Sequence, residues 1–174
     1  MNKKLNYVTY QTFPAQTANS LQTISNIKYL IKHGVEVSLY FPLREKQSTA
    51  DIKYLQDFYK FTEIFNSFGI KHPYPHGKIK FIPKFWFHLS HILWSRKLIK
   101  KSFKNDRDSY FFTRSDWIAY FLAMQGSNVV FECHQTSKVR NFVIKKIGKL
   151  ENVKFIFLNE NLSNNYKEVR QSIV

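Results

Sequence analysis

A chain of 174 residues, 44% hydrophobic and 17% aromatic, is long enough to bury a core as one domain and too apolar for intrinsic disorder. Its formal net charge of +15 favours an anionic partner, whether membrane headgroups, nucleic acid or phosphorylated substrates. Cys133 is the only cysteine, which excludes an internal disulfide and fits a reducing compartment. The start, MNKKLNYVTY, lacks the apolar centre of a signal peptide, and no segment reaches the roughly 20 apolar residues of a membrane span, so a cytoplasmic protein is expected.

Leu5–Tyr10 predicts a first strand, followed by a polar stretch and a helix from about Asn19 to His33. Leu21, Ile24, Ile27 and Leu30 or Ile31 give that helix an apolar stripe, and Gly34 is placed to end it in the left-handed conformation. Val35–Phe41 follows as a strand closed by Pro42. The loop between the first strand and helix contains no glycine, so a backbone approach to a dinucleotide pyrophosphate is not built in. Nicotinamide and flavin cofactors are therefore not expected.

Thr49–Phe68 reads as a surface helix, and Gly69–Lys84, with Pro73, Pro75, Gly77 and Pro83, as a loop with room for one short strand. From Phe85 to about Phe103 a basic amphipathic helix is predicted, with Phe85, Leu89, Ile92, Ile99 and Phe103 on one side and Lys97, Lys100, Lys101 and Lys104 on another. Between Lys71 and Arg107 ten Lys or Arg residues face a single acid, Asp106. The same stretch mixes Phe85, Trp86, Phe87 and Trp94 with its lysines, the composition of a helix lying on an anionic bilayer. A core-packed helix with a solvated cationic face has the same composition. No nucleic-acid-binding motif accompanies these charges, so nucleic acid is not the expected partner.

Tyr110–Thr113 reads as a short buried strand, Ser115 as a helix N-cap, and Ile118, Phe121, Leu122 and Gln125 as helical positions before Gly126. A continuous apolar run at Val129–Phe131 marks a strand covered on both faces, spanning about 128–133. Val139–Leu150 should be a helix, Val153–Leu158 a last strand and Asn161–Ile173 a last helix. Five strands alternating with helices predict an α/β fold: a doubly wound, mostly parallel, Rossmann-like sheet in three α/β/α layers.

In such a sheet ligands bind beyond the carboxyl ends of the strands. Arg114 falls there after one strand, and Glu132, His134 and Gln135 at the end of the next. Arg114 suits a phosphate or, equally, an ion pair with Asp116 or Glu132. Glu132 and His134, two residues apart, can share a side, so Glu132 can orient the imidazole. Cys133 points the other way and reads as a small buried hydrophobe. Gln16, Thr17, Ala18 and Asn19 lie at a helix N-terminus, where amide and hydroxyl groups suit sugar hydroxyls or phosphate oxygens and equally suit plain capping. Asn159 and Glu160, after the last strand, read first as helix caps and second as cleft lining. His72, His76, His88 and His91 have the spacing of zinc ligands without a supporting cysteine, and no metal is expected.

The stretches PAQTANSLQTISNIKYLIKHGVEVSLYFP, YFFTRSDWIAYFLAMQGSNVVFECH and FIFLNENL resemble, in order and spacing, the N-terminal half of glycosyltransferase family 4 enzymes of the two-domain GT-B type. The resemblance covers most of the chain and is weak between about residues 45 and 105. The first loop reads QTANS where the family often carries paired glycines. The family's nucleotide-sugar-binding domain, with its Glu-x7-Glu segment, has no counterpart in these residues. The resemblance therefore implies an acceptor-side domain that works with a C-terminal donor-binding domain in cis or trans. It implies a nucleotide-sugar co-substrate, a glycan or lipid-linked acceptor, no metal, and His134 in contact with the transferred sugar or the acceptor. A non-catalytic docking module is the alternative expectation.

Overall fold

The computed structural model describes residues 3–44, 46–72, 84–170 and 172–174, which group into two compact units, Met1–Trp94 and Ser95–Val174. In the first unit, strand β1 (Lys3–Val8), helix α1 (Ala18–Lys32) and strand β2 (Val35–Leu43) form a parallel β-α-β unit. The Thr17 side chain accepts the Ser20 N–H at the start of α1, and Gly34, at φ +77°, turns the chain out of its end. The buried face of α1 is Ser20, Thr23, Ile24 and Ile27, while Leu21, expected on the stripe, is half exposed. Small hydroxyl residues can face the sheet here because each is satisfied locally. Ser20 Oγ lies 2.8 Å from Thr17 Oγ1, and Thr23 Oγ1 donates to the Asn19 carbonyl at 2.9 Å.

Strand β2 does not close at Pro42; it runs on to Leu43, with Pro42 opposite Ile70 of strand β3 (Asn66–Lys71). The Tyr40 carbonyl accepts the Thr9 N–H, so Tyr40, and by alternation Pro42, turns its backbone toward β1. Since β1 ends at Val8, opposite Tyr40, the donor that Pro42 lacks would have found no partner strand. The long helix expected over Thr49–Phe68 is instead helix α2 (Ile52–Tyr59), capped by Asp51 and ended by Lys60 at φ +55°, followed by the parallel edge strand β3. Gly69 leaves room for the Leu43 side chain of β2: a Cβ there would meet it at 2.6 Å.

Helix α3 (Lys84–Ser102) follows. The expected loop at 73–83, with Pro73, Pro75, Gly77 and Pro83, lies outside the described residues. So do the side chains of Phe85 and Trp86, two of the four aromatic residues that suggested a bilayer. Of the others, Trp94 is fully buried and only Phe87 is exposed. The buried positions His91, Trp94, Ser95, Leu98 and Ile99 follow helical spacing, opposite exposed Arg96, Lys97, Lys100 and Lys101. Among the described residues no helix is long and apolar enough to cross a membrane.

The second unit carries strand β4 (Tyr110–Thr113), helix α4 (Asp116–Met124), strand β5 (Asn128–Cys133), helix α5 (Lys138–Ile147) and strand β6 (Val153–Phe157), with β4, β5 and β6 paired in parallel. Gly126, at φ +91°, follows α4 as expected, and Ser137 caps α5 by accepting the Arg140 N–H. The last helix is much shorter than expected: α6 spans Glu160–Asn164, and Ser172–Ile173 pair with β6 as strand β7. Of the predicted helical face, Leu162 and Tyr166 are buried, and the Tyr166 ring stacks on Phe157 at 5.6 Å, whereas Ile173 is exposed. Asparagines at 161, 164 and 165 favour caps and turns over helix interior, so the side chains dock without a continuous helix between them. The strand order is β3-β2-β1 in the first unit and β4-β5-β6-β7 in the second, and the alternation of parallel strands with helices is a Rossmann-like, doubly wound α/β fold.

Candidate functional site

In the second unit the carboxyl ends of β4 and β5 bring Arg114, Glu132 and His134 together. Glu132 lies within β5 and is buried, with His134 just beyond it on the same side of the strand. An ionised carboxylate only accepts, so His134 Nε2–H donates to Glu132 Oε1, which in a neutral imidazole makes Nδ1 the acceptor. Glu132 thus fixes both the tautomer and the direction of the ring. Its second oxygen, Oε2, is buried and accepts no hydrogen bond among the described residues; Arg114 Nε lies 3.9 Å away. That is an ion pair without a hydrogen bond.

Arg140 holds this rim in shape. Its Nε donates to Asp116 Oδ1 at 2.7 Å, Nη1 to the Gln135 carbonyl at 3.0 Å and Nη2 to the Arg114 carbonyl at 3.2 Å. One guanidinium therefore fastens the segment after β4 to the segment after β5, and its carbon lies 5.5 Å from the centre of the Phe131 ring. Sequence reading passed over Arg140. The available signal was its position: it occupies the stripe that continues through Val143, Ile144 and Ile147, all buried, where a lone arginine must have partners. Asp116, weighed as a partner for Arg114, pairs with Arg140 instead.

Cys133 is fully buried, and that burial pushes its thiol up to about 12, so no thiolate is available near neutral pH. The neighbouring Cys133 and His134 do not form a nucleophile and base. Gln135 is exposed and contributes its carbonyl to Arg140. Asn159 caps α6 by accepting the Leu162 N–H at 2.9 Å, and Glu160 is exposed in that helix's first turn.

In the first unit Gln16, Thr17, Ala18 and Asn19 are exposed at the N-terminus of α1, where Thr17 serves as the cap. The ends of that unit's strands hold a cluster that sequence reading had not assembled. Tyr10, two residues past β1, has its hydroxyl hydrogen-bonded to His72 Nε2 at 2.8 Å and 3.2 Å from Ser90 Oγ. Its ring stacks on His91 at 3.8 Å on one face, and the Arg44 guanidinium lies 3.7 Å from the ring centre. Arg44 also donates to the Tyr10 carbonyl. Tyr10, His72, Ser90 and His91 are all buried. Burial raises the Tyr10 phenol above its ordinary range, and it drives His91 well below the usual histidine range, with Arg44, His88 and His72 adding to that fall. Of the four histidines with zinc-like spacing, His76 lies outside the described residues and His72 is engaged by Tyr10. Among the described residues no group of three or more His, Cys, Asp or Glu is placed to hold a metal.

Comparison of the chain with protein-family models and with curated proteins finds no match in either.

Proposed function

We propose that this chain is the acceptor-side domain of a retaining GT-B glycosyltransferase, acting with a donor-binding domain in cis or trans to move a sugar from a nucleotide-sugar onto a cell-surface glycan or lipid-linked acceptor. The observation that carries the reading is Glu132 Oε2, a buried carboxylate oxygen without a hydrogen bond beside an oriented histidine at a strand's carboxyl end. A sugar hydroxyl can donate to that oxygen, and His134 Nδ1 can accept from another. Arg114 balances the charge and suits a phosphate or an acidic acceptor group. Within the first unit, Gln16, Thr17 and Asn19 offer side-chain amide and hydroxyl groups, and Ala18 its backbone, to a hydroxylated ligand. In transfer, the bond from the anomeric carbon to the nucleotide diphosphate breaks while one to the acceptor oxygen forms with the same configuration. Placement of the acceptor and stabilisation of charge do most of that work.

The test is titration of the isotope-labelled chain with saccharide and lipid-linked acceptors, read by amide resonances. Shifts centred on Glu132–Gln135 and lost in His134→Ala are expected, with unchanged thermal stability. If no acceptor class moves those resonances, the reading fails. Multiple turnover by the chain alone, at the rate of a two-domain transferase, would remove the need for a donor-binding domain.

A second reading, a binding module without chemistry of its own, is favoured by the exposed cations of α3, Arg96, Lys97, Lys100 and Lys101. They suit the anionic inner face of a membrane, where a cytoplasmic protein would sit as a peripheral one.

A further inference from the structure

Helix α4 breaks the rule that a helix on a sheet turns polar toward solvent. Its sheet-facing side is Ile118, Ala119, Leu122 and Ala123, all buried. Its other side is Trp117, Tyr120, Phe121 and Met124, again at helical spacing, and all four retain exposure, Met124 at 56%. Asp116, the helix's one charged residue, is taken by Arg140. Helix α5 extends the apolar surface with Phe142, 46% exposed, whose ring lies 6.3 Å from both Trp117 and Tyr120. Around Phe142, α5 carries exposed Lys138, Lys145 and Lys146 and no acid, with Lys146 Nζ 6.0 Å from the Phe142 ring.

We propose that this α4–α5 face is a docking surface for an anionic lipid bilayer. Two features choose that occupant. Tyr120, a ring with a polar tip, and the exposed side chains of Met124 and Phe142 suit the boundary of headgroups and acyl chains, and lysines beside them reach the lipid phosphates; Trp117 adds ring surface only, its indole N–H being buried. A second copy docked on the same face about a two-fold axis would set lysines against lysines, with no acid on α5 to offset them. The proposal deepens the peripheral-membrane reading and moves its centre from α3, where Trp94 is buried in the core, to α4 and α5. It is independent of transfer chemistry, because lipid binding without acceptor binding leaves it standing.

Flotation of the full chain with vesicles tests it, using phosphatidylcholine alone and phosphatidylcholine with an equal part of phosphatidylglycerol. Binding is expected only to the second, with loss in high salt. The triple variant Lys138→Gln, Lys145→Gln, Lys146→Gln should weaken it about a hundredfold, about fivefold for each charge. Met124→Ser with Phe142→Ser, both at well-exposed positions, should weaken it about tenfold or more through lost apolar contact. Both variants should melt as the parent does, which separates lost docking from lost folding. The proposal is overturned if the parent does not float with anionic vesicles, or if both variants float like the parent. It is equally overturned if only Arg96→Gln, Lys97→Gln, Lys100→Gln, Lys101→Gln abolishes binding, since α3 would then be the surface. A parent that sediments as a dimer, with Phe142→Ser restoring the monomer, also overturns it in favour of self-association.

Discussion

At the strand ends of the first unit the polar residues are Tyr10, Arg44 and His72, and helix α3 closes over them with Ser90 and His91. At the strand ends of the second unit they are Arg114, Glu132 and His134, tied from behind by Arg140. The first set is largely aromatic, and its Tyr10 hydroxyl spends its hydrogen bonding on His72 and Ser90. The second is ionic and half-buried, and it keeps a carboxylate oxygen without a hydrogen bond. Both sit where an α/β sheet offers a ligand site, and among the described residues each keeps a buried polar atom without a hydrogen bond, His91 Nε2 in the first and Glu132 Oε2 in the second. Location at a strand end is thus not enough. What distinguishes the two is the chemistry left over: a desolvated imidazole stacked under Tyr10 in the first, a carboxylate oxygen beside an oriented imidazole in the second.

The largest expected effect tests whether Arg140 is the brace of the second rim. Arg140→Ala leaves Asp116 without its partner and frees the carbonyls of Arg114 and Gln135, so a loss of about 3 kcal/mol is expected in denaturant titration. A loss below ~1 kcal/mol would show that packing, not this arginine, holds the two segments. Pairing Arg140→Ala with Asp116→Ala in a double-mutant cycle assigns how much belongs to the ion pair.

The next effect separates the units by pH. His91 is buried between Tyr10 and cationic neighbours, and its folded value lies well below the ordinary 6.5. Above 6.5 the imidazole is neutral both folded and unfolded, and it contributes no pH dependence. As pH falls below 6.5 the unfolded chain takes up a proton that the folded chain refuses, so stability declines with each step of acid until the folded value is reached. Among the described residues Tyr10, His72, His88 and Arg44 are the titratable or charged groups that act on it, and none of these supplies a negative charge near neutral pH. Protection of the first unit's amides, measured relative to their intrinsic exchange rates at each pH, should therefore fall below pH 6.5, and His91→Phe, which keeps a ring against Tyr10, should flatten that response. An unchanged slope in His91→Phe would assign the acid sensitivity elsewhere.

The strands that pair on both sides were legible from their apolar residues: Val129–Phe131 is a continuous run, and Val35–Phe41 and Val153–Leu158 are apolar at every second position or more, and all three pair in parallel. The two that escaped, β3 and β7, each lie at the edge of their own unit's strands. An edge strand needs one apolar face at most, and NSFGIK offers only Phe68 and Ile70 in alternation, too few to set a period. For β7 a helical spacing of Leu162, Tyr166, Val169 and Ile173 was present and misleading, since the first two bury themselves from a short helix and turns. In the site, the pairing of Glu132 with His134 followed from strand alternation. Arg140 and Tyr10 did not follow, because their partners are 24 and 62 residues away and no local pattern encodes such contacts.

The smallest effect decides whether the two helix starts named as sugar contacts are more than caps. Thr17 accepts the Ser20 N–H at the head of a fifteen-residue helix, and Asn159 accepts the Leu162 N–H at the head of a five-residue one. Replacing a cap by alanine costs about 1 kcal/mol and by glycine only a few tenths, because water reaches the freed amide when the side chain is absent. Thr17→Ala should therefore cost more than Thr17→Gly. Asn159→Ala should cost less than Thr17→Ala, since a single turn has little cooperative length to lose. If Thr17→Gly matches the parent in stability yet weakens binding of a saccharide acceptor, Thr17 contacts the ligand as well as the helix. If stability and binding fall together from Gly to Ala, its hydroxyl is committed to the helix alone, and the sugar contacts rest with the second unit.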